Sequence, residues 1–418
     1  IWSKKQIINT EATTTITKIE NGNIASPKGY IVGGLHCGLK RKRHDLAWLY
    51  SVVPAKAAAV YTTNVFQAAP LKVTQDSIQQ NGVIQGVIVN SGNANACTGE
   101  TGLKNAYIMR EWYANKIGST PEDVVVLSTG VIGEQLNMEK LNDGINRIEV
   151  VENESSVENF EKAILTTDTF RKSACVQVEI NGHIITIGGA AKGSGMIKPN
   201  MATMLGFITT DANIGQEALQ YCLKTVTNDS FNMITVDGDT STNDTVVLLA
   251  NGLAGNDEWT LQDEAEIKLF QSALKEVCQS LAKQIARDGE GATKLLEVEV
   301  KGAVIKEDAE KIAKSIVGSS LVKTAVYGCD ANWGRIVCAA GYSGATTIDP
   351  NNITVFIGPH KVVENGVPHP FSEEEATSYL ANEKIQLTVD LNGGDKTATA
   401  WGCDLSYDYV RINASYRT

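Results

Sequence analysis

The chain has 418 residues, 43% hydrophobic and 20% charged, with a net charge of −11. That length supports a large core and predicts two to three domains. The acidic balance argues against a nucleic-acid partner, which needs a basic footprint, but leaves a small basic metabolite open as a ligand. No apolar run reaches the roughly 18 residues of a membrane span, and residues 1–6 lack the apolar core of a secretory leader, so a cytoplasmic protein is expected. Residues 84–89 and 124–127 are continuous apolar runs, the pattern of strands buried on both faces, with a helix over 106–117 between them. Residues 176–187 alternate around Asn181-Gly182, a strong hairpin signal. A strand is expected over 205–209 and a helix over 216–227. A longer helix over 261–288 carries Ile267, Phe270, Leu274, Val277, Leu281 and Ile285 at three- and four-residue spacing, a core-facing stripe. Gly289 stands where that helix wants a left-handed cap. Short strands follow at 295–300, 354–357 and 385–390. The class is α+β.

The eight cysteines are scattered with no Cys-x-x-Cys pair, and the five histidines fall at no ligand spacing. Reduced thiols are expected, with neither a metal site nor a Cys-His nucleophile.

The run over 192–206 carries the chemistry. Gly193, Gly195 and the Pro199-Asn200 turn lead to Ala202 and then to a hydroxyl, Thr203. If Thr203 Oγ attacks the Ala202 carbonyl, the amide becomes an ester that water can cleave. The freed Thr203 then holds an α-amine, reference pKa roughly 7.7–8.0, beside its own hydroxyl: a nucleophile with a built-in base. Taken alone, the same residues are better described as an ordinary loop.

Three other segments read two ways, and two more are dense in polar groups. Ser128-Thr129-Gly130 follows a strand, so the Thr129 hydroxyl and Gly130 N–H suit an oxyanion, or simply a capped turn. Lys192 follows a Gly-rich run that fails the phosphate-loop spacing; it is a carboxylate binder or a solvated lysine. Glu290 lies between two glycines that let a ligand approach, or in a surface turn. Residues 235–244 are dense in small polar groups at no EF-hand spacing and read as a structural loop bordering a site. Residues 328–335 are similarly dense and unassigned.

Taken together, the segments resemble the glutamate N-acetyltransferase family, also called ornithine acetyltransferase, of the arginine acetyl cycle. The resemblance rests on an ordered series spanning nearly the whole chain. It begins with His36-Cys37-Gly38-Leu39-Lys40, residues 90–99 and Ser128-Thr129-Gly130. It continues through Thr166-Thr167-Asp168-Thr169, 192–205, the Asp237 loop, 288–293 and 328–335, and ends with 411–418. It implies an autolytic α/β/β/α sandwich with a smaller additional α/β domain. Self-cleavage between Ala202 and Thr203 would divide the chain into fragments 1–202 and 203–418, with two copies of each in the assembly. It implies Thr203 as nucleophile, Thr129 and Gly130 as oxyanion hole, and Thr166, Lys192, Thr203, Glu290, Asn413 and Thr418 as the substrate site.

The implied activity is an acyltransferase moving acetyl from N2-acetyl-L-ornithine to L-glutamate through an acetyl-threonine, without a cofactor. Acetyl-CoA stays open as a second donor. A hydrolase passing the acyl group to water, and a binding protein with a decayed site, are the competing classes. Two positions depart from the family's pattern: Arg171 stands where proline is expected, and Ser415 where an acidic residue is common.

Overall fold

The computed structural model describes residues 15–198 and 204–416. Nine strands form one sheet: β1 (Ile16–Lys18), β2 (Tyr30–Leu35), β3 (Leu46–Tyr61), β4 (Val83–Asn93), β5 (Val124–Val131), β6 (Lys172–Ile180), β7 (His183–Lys192), β8 (Leu205–Thr210) and β9 (Thr245–Ala250). Their order is β1-β6-β7-β8-β9-β3-β4-β5, with β2 pairing β3. The 16-residue β3 is the fold's hinge. Its first part, Leu46 to Tyr50, pairs with β2 and β4; its last part, Lys56 to Tyr61, pairs with β9; the register breaks between Tyr50 and Ala55. Such an irregularity bends a strand, and here it folds the sheet into two facing halves.

Side-chain alternation shows the layers, because successive strand residues point to opposite faces. Val247 and Leu249 of one half meet Val87, Val89 and Leu127 of the other in an inner core with Phe207. Val246 and Leu248 face outward onto α5 (Gln216–Asn228) and α6 (Glu264–Arg287). On the opposite outside, Ile88, Val124 and Val126 pack with α1 (Ala69–Asn81), α2 (Gly99–Ile117) and α3 (Met138–Asn146). The short α4 (Ser156–Ala163) sends Phe160 into the inner core. The result is helix, sheet, sheet, helix: the expected α/β/β/α sandwich.

The continuous apolar runs have their reason in pairing. β4 runs parallel to β5 and β8 parallel to β9, each crossover carrying a helix, and such strands are covered on both faces. The hairpin of β6 and β7 turns at Asn181 (φ 51°) and Gly182 (φ 80°), the two positive values of a type I′ turn.

The smaller domain is a six-stranded sheet of β10 (Leu295–Ala303), β11 (Thr354–Ile357), β12 (His360–Glu364), β13 (Val367–Pro368), β14 (Lys384–Asp390) and β15 (Lys396–Cys403). It carries α7 (Lys306–Gly318), α8 (Ser320–Tyr327), α9 (Trp333–Gly341) and α10 (Glu373–Leu380). A last helix, α11 (Tyr407–Ser415), buries none of its residues. Leu296, Val298 and Val300 of β10 share one core with the α6 stripe, so the domains are joined through apolar contact.

All six stripe residues of α6 are buried. Its end differs from expectation. The cap is Asp288 (φ −91°), and Gly289 is not left-handed. Gly289 is instead demanded by proximity, since a Cβ there would lie 2.5 Å from Cys403 Sγ. None of the eight cysteines is bonded to another; five are buried, while Cys97 and Cys338 are exposed. Among the described residues no helix is long and apolar enough to cross a membrane.

Phe270 is fully buried where α6 meets the sheet. Phe270→Ala is expected to cost about 3–5 kcal/mol, read as a lower urea midpoint. A change under about 1 kcal/mol would show that α6 does not hold this core.

Candidate active site

One cavity of about 350 Å³ gathers Thr129, Gly130, Thr166, Lys192, Glu290 and Asn413 in its lining. These six come from five distant segments of the sequence. Ala202, Thr203 and Thr418, the other named positions, lie outside the described residues.

Thr129 and Gly130 lie near the end of β5, not in the turn that the local pattern also allowed; the strand continues through them to Val131. Gly130 sits opposite Gly92 of β4 at φ 137°. A Cβ there would approach the Gly92 carbonyl carbon to 2.2 Å, so only glycine lets the two backbones close. Lys192 ends β7, and its Nζ donates to Thr129 Oγ1 at 3.3 Å. The hydroxyl accepts from the ammonium and keeps its own proton for another acceptor. Burial pushes the Lys192 ammonium below the ordinary lysine range, against the opposing pull of Asp168.

A buried ion cluster lies behind the cavity. Lys172 Nζ, fully enclosed, bridges Asp168 Oδ1 at 2.7 Å and Asp288 Oδ2 at 2.6 Å. Asp168 also accepts from the N–H of Gly193 at 2.7 Å and of Thr166 at 3.0 Å. Burial works to raise the Asp168 carboxyl, but the Lys172 and Lys192 charges overcome it and hold it well below the usual range. Asp288 accepts from the Thr169 N–H at 2.9 Å, and its carbonyl accepts from Ser194 Oγ at 2.7 Å.

Glu290 stands two residues further on. Its N–H donates to Ser194 O at 3.1 Å, and Asn413 Nδ2 on α11 donates to its Oε2 at 2.7 Å. A Cβ on Gly195 would sit 2.3 Å from that carboxylate, so the glycine makes room for it.

The Asp237 loop does border the site. Asp237, Asp239 and 240–243 line the cavity. Asp237 accepts from the N–H of Met196 and of Ile197, both at 2.8 Å, and from Tyr409 Oη at 3.1 Å. It thus holds the irregular segment leading to 199–203 and anchors α11. Asn243 Nδ2 donates to the carbonyls of Ala94 (2.6 Å) and Ser128 (2.8 Å), tying this loop to the glycine-rich ends of β4 and β5.

The sequence reading assigned no role to Asp168, Lys172 or Asp288, and missed Asn64, Tyr409 and Tyr416 in the lining. The one available signal was Asp168 inside the Thr-Thr-Asp-Thr run; nothing local to Lys172 marks it. Of the two departures, Arg171 pairs with the buried Glu161 at 3.0 Å, and neither it nor Ser415 lines the cavity. Among the described residues no three His, Cys, Asp or Glu side chains converge as metal ligands.

The model of the ArgJ family matches residues 31–418. An arginine biosynthesis bifunctional protein ArgJ of Geobacillus kaustophilus is 57% identical over 98% of this chain and 99% of its own length. That of Geobacillus stearothermophilus is 56% identical over the same shares. A crystal structure of the protein of that name from Bacillus halodurans, 56% identical, aligns over 51% of this chain and 100% of its own with a TM-score of 0.49. With the family model running across all of the cavity-forming segments, and relatives above half identity along nearly their full length, the chain belongs to the ArgJ family.

Proposed function

We propose that the chain cuts itself between Ala202 and Thr203 and then uses Thr203 to carry acetyl from N2-acetyl-L-ornithine to L-glutamate. The chain is an acyltransferase of arginine biosynthesis by its family membership; the self-cleavage, the acetyl-threonine and the residue roles are our reading. The observation that carries it is the convergence of Thr129, Gly130, Thr166, Lys192, Glu290 and Asn413 on one cavity. Both flanks of the proposed cut are fastened beside that cavity: Asp237 holds 196–197, and Met204 O accepts from Thr245 N–H at 3.0 Å.

In this mechanism the Thr203 α-amine, directly or through water, takes the hydroxyl proton as Oγ attacks the acetyl carbon. The oxyanion rests on the Thr129 hydroxyl, whose lone pair already serves Lys192, and on the Gly130 N–H. The C–N bond breaks, the ornithine amine leaves with the proton, and an acetyl ester remains. The glutamate α-amine then attacks that ester and Thr203 regains its proton. Lys192 meets a substrate carboxylate, and the Glu290–Asn413 pair faces the ornithine side-chain ammonium. Fragments 1–202 and 203–418, two of each, make up the working assembly. The relatives' name, bifunctional, supports a second acetyl source, which we take to be acetyl-CoA.

Thr203→Ala is expected to give an uncut chain of 44.9 kDa with no transfer on a denaturing gel and activity assay; processing by that variant would exclude Thr203 as the cutting group. Gly130 is a poor probe of the oxyanion hole, because its Cβ meets backbone. Thr129→Val is the cleaner one, with kcat falling about 10²–10³-fold at similar KM and unchanged Tm. A fall under about threefold would remove the Thr129 hydroxyl from the reaction. Because burial lowers the pKa of Lys192, its charge is lost at lower pH than that of an exposed lysine. KM for N2-acetyl-L-ornithine should therefore climb on the alkaline limb, and Lys192→Met should flatten that limb at high KM. A wild-type KM constant with pH would contradict the carboxylate role.

A further inference from the structure

Residues 40–43 read Lys-Arg-Lys-Arg in a chain whose net charge is −11. The turn that carries them is fastened from beneath. The fully buried Asp45 accepts from the N–H of Cys37 (2.7 Å), Gly38 (3.2 Å) and Lys40 (2.8 Å). Two of the four cations are tied to the cavity wall. Lys40 Nζ donates to Leu165 O, and the Arg43 guanidinium donates to Thr166 O at 2.7 Å; Thr166 is a lining residue. Arg41 and Lys42 are exposed beside them.

Among the described residues, none of the four lies within ion-pair distance of a carboxylate. Further cations close in from α3 and its C-terminal cap, where Lys140 Nζ donates to Gly38 O and Arg147 to His36 O, both at 3.0 Å. The nearby acids are engaged elsewhere, Asp143 with Arg147 and Glu158 with Lys162. Burial and the Arg43 charge together push the Lys40 ammonium down to about 8. The Asp45 carboxylate is enclosed beneath the turn and offsets part of this charge, while Arg41 and Lys42 present theirs outward on a fixed backbone with no ion-pair partner among the described residues.

Neither N2-acetyl-L-ornithine nor glutamate carries a phosphate for such a turn to hold. The arrangement suits a donor whose acyl end enters while a polyphosphate end stays outside, because guanidinium and ammonium groups match phosphate oxygens. We propose that Lys40–Arg43 form an anion subsite at the cavity rim that holds the phosphates of a coenzyme A thioester while its acetyl group reaches the transfer site. The subsite rests on the reading of Thr203 as acyl carrier. In the step it serves, Thr203 Oγ bonds to the acetyl carbon, the C–S bond breaks, and the free thiol departs with the proton.

The test compares three donors with glutamate as acceptor, in the processed wild type and in R41Q/K42Q: acetyl-CoA, S-acetylpantetheine, which lacks phosphate, and N2-acetyl-L-ornithine. The subsite requires that the variant raise KM for acetyl-CoA roughly three- to tenfold, lose the salt dependence of that KM, and leave the other two donors unchanged. An equal rise for S-acetylpantetheine, or no rise for acetyl-CoA, overturns it. A wild type that uses N2-acetyl-L-ornithine but not acetyl-CoA overturns the subsite and leaves the Thr203 reading standing; one that uses no donor overturns both.

Discussion

A single enclosed ammonium holds this site in register. Lys172 has no access to water and sits between Asp168 and Asp288. Burying three ions carries a large desolvation cost, which only close pairing and further hydrogen bonds offset; the backbone N–H groups of Gly193, Thr166 and Thr169 supply those bonds. Breaking such a cluster from one side generally costs about 3–5 kcal/mol. Its position matters as much as its strength. Gly193 follows Lys192, and Asp288 precedes Glu290 by two residues, so one cation fixes two walls of the cavity at once.

Asp237 is the second organiser and works by a different principle. Its carboxylate gathers two consecutive backbone N–H groups and a phenol, joining the approach to 199–203 with the otherwise exposed α11. The cavity thus has a rigid back, built on strand ends and buried charge, and a front wall from a helix held by a few polar contacts: Tyr409 to Asp237 and Asn413 to Glu290. Helices that bury little apolar surface sit at the low end of local stability, so the front is the part best able to yield to a substrate.

Much of the scaffold was legible in the residues. Continuous apolar runs announced β4 and β5 as buried strands, Asn181-Gly182 announced the hairpin, and the spacing from Ile267 to Ile285 announced the buried face of α6; β9 went unread. What stayed hidden was long-range. The fold-over at β3 depends on a register break between Tyr50 and Ala55, which no local pattern specifies. Lys172 carried no local signal, because its partners lie four and 116 residues away. Gly289 was read as a cap from its place after a helix, when its reason is Cys403, 114 positions further on. The site residues became a set only through the family resemblance, since Thr129, Lys192 and Glu290 each had an ordinary local explanation.

The strand order has a consequence for the chain's two halves. β7 and β8 are bonded neighbours, and β8 and β9 lie wedged between β7 on one side and β3 on the other. Residues before 202 therefore supply both borders of a sheet whose middle comes from residues after 203. Each half, made by itself, would present raw hydrogen-bonding margins and a bare apolar face to water. The two are woven together like interlaced fingers, so neither sequence half holds a complete sheet of its own.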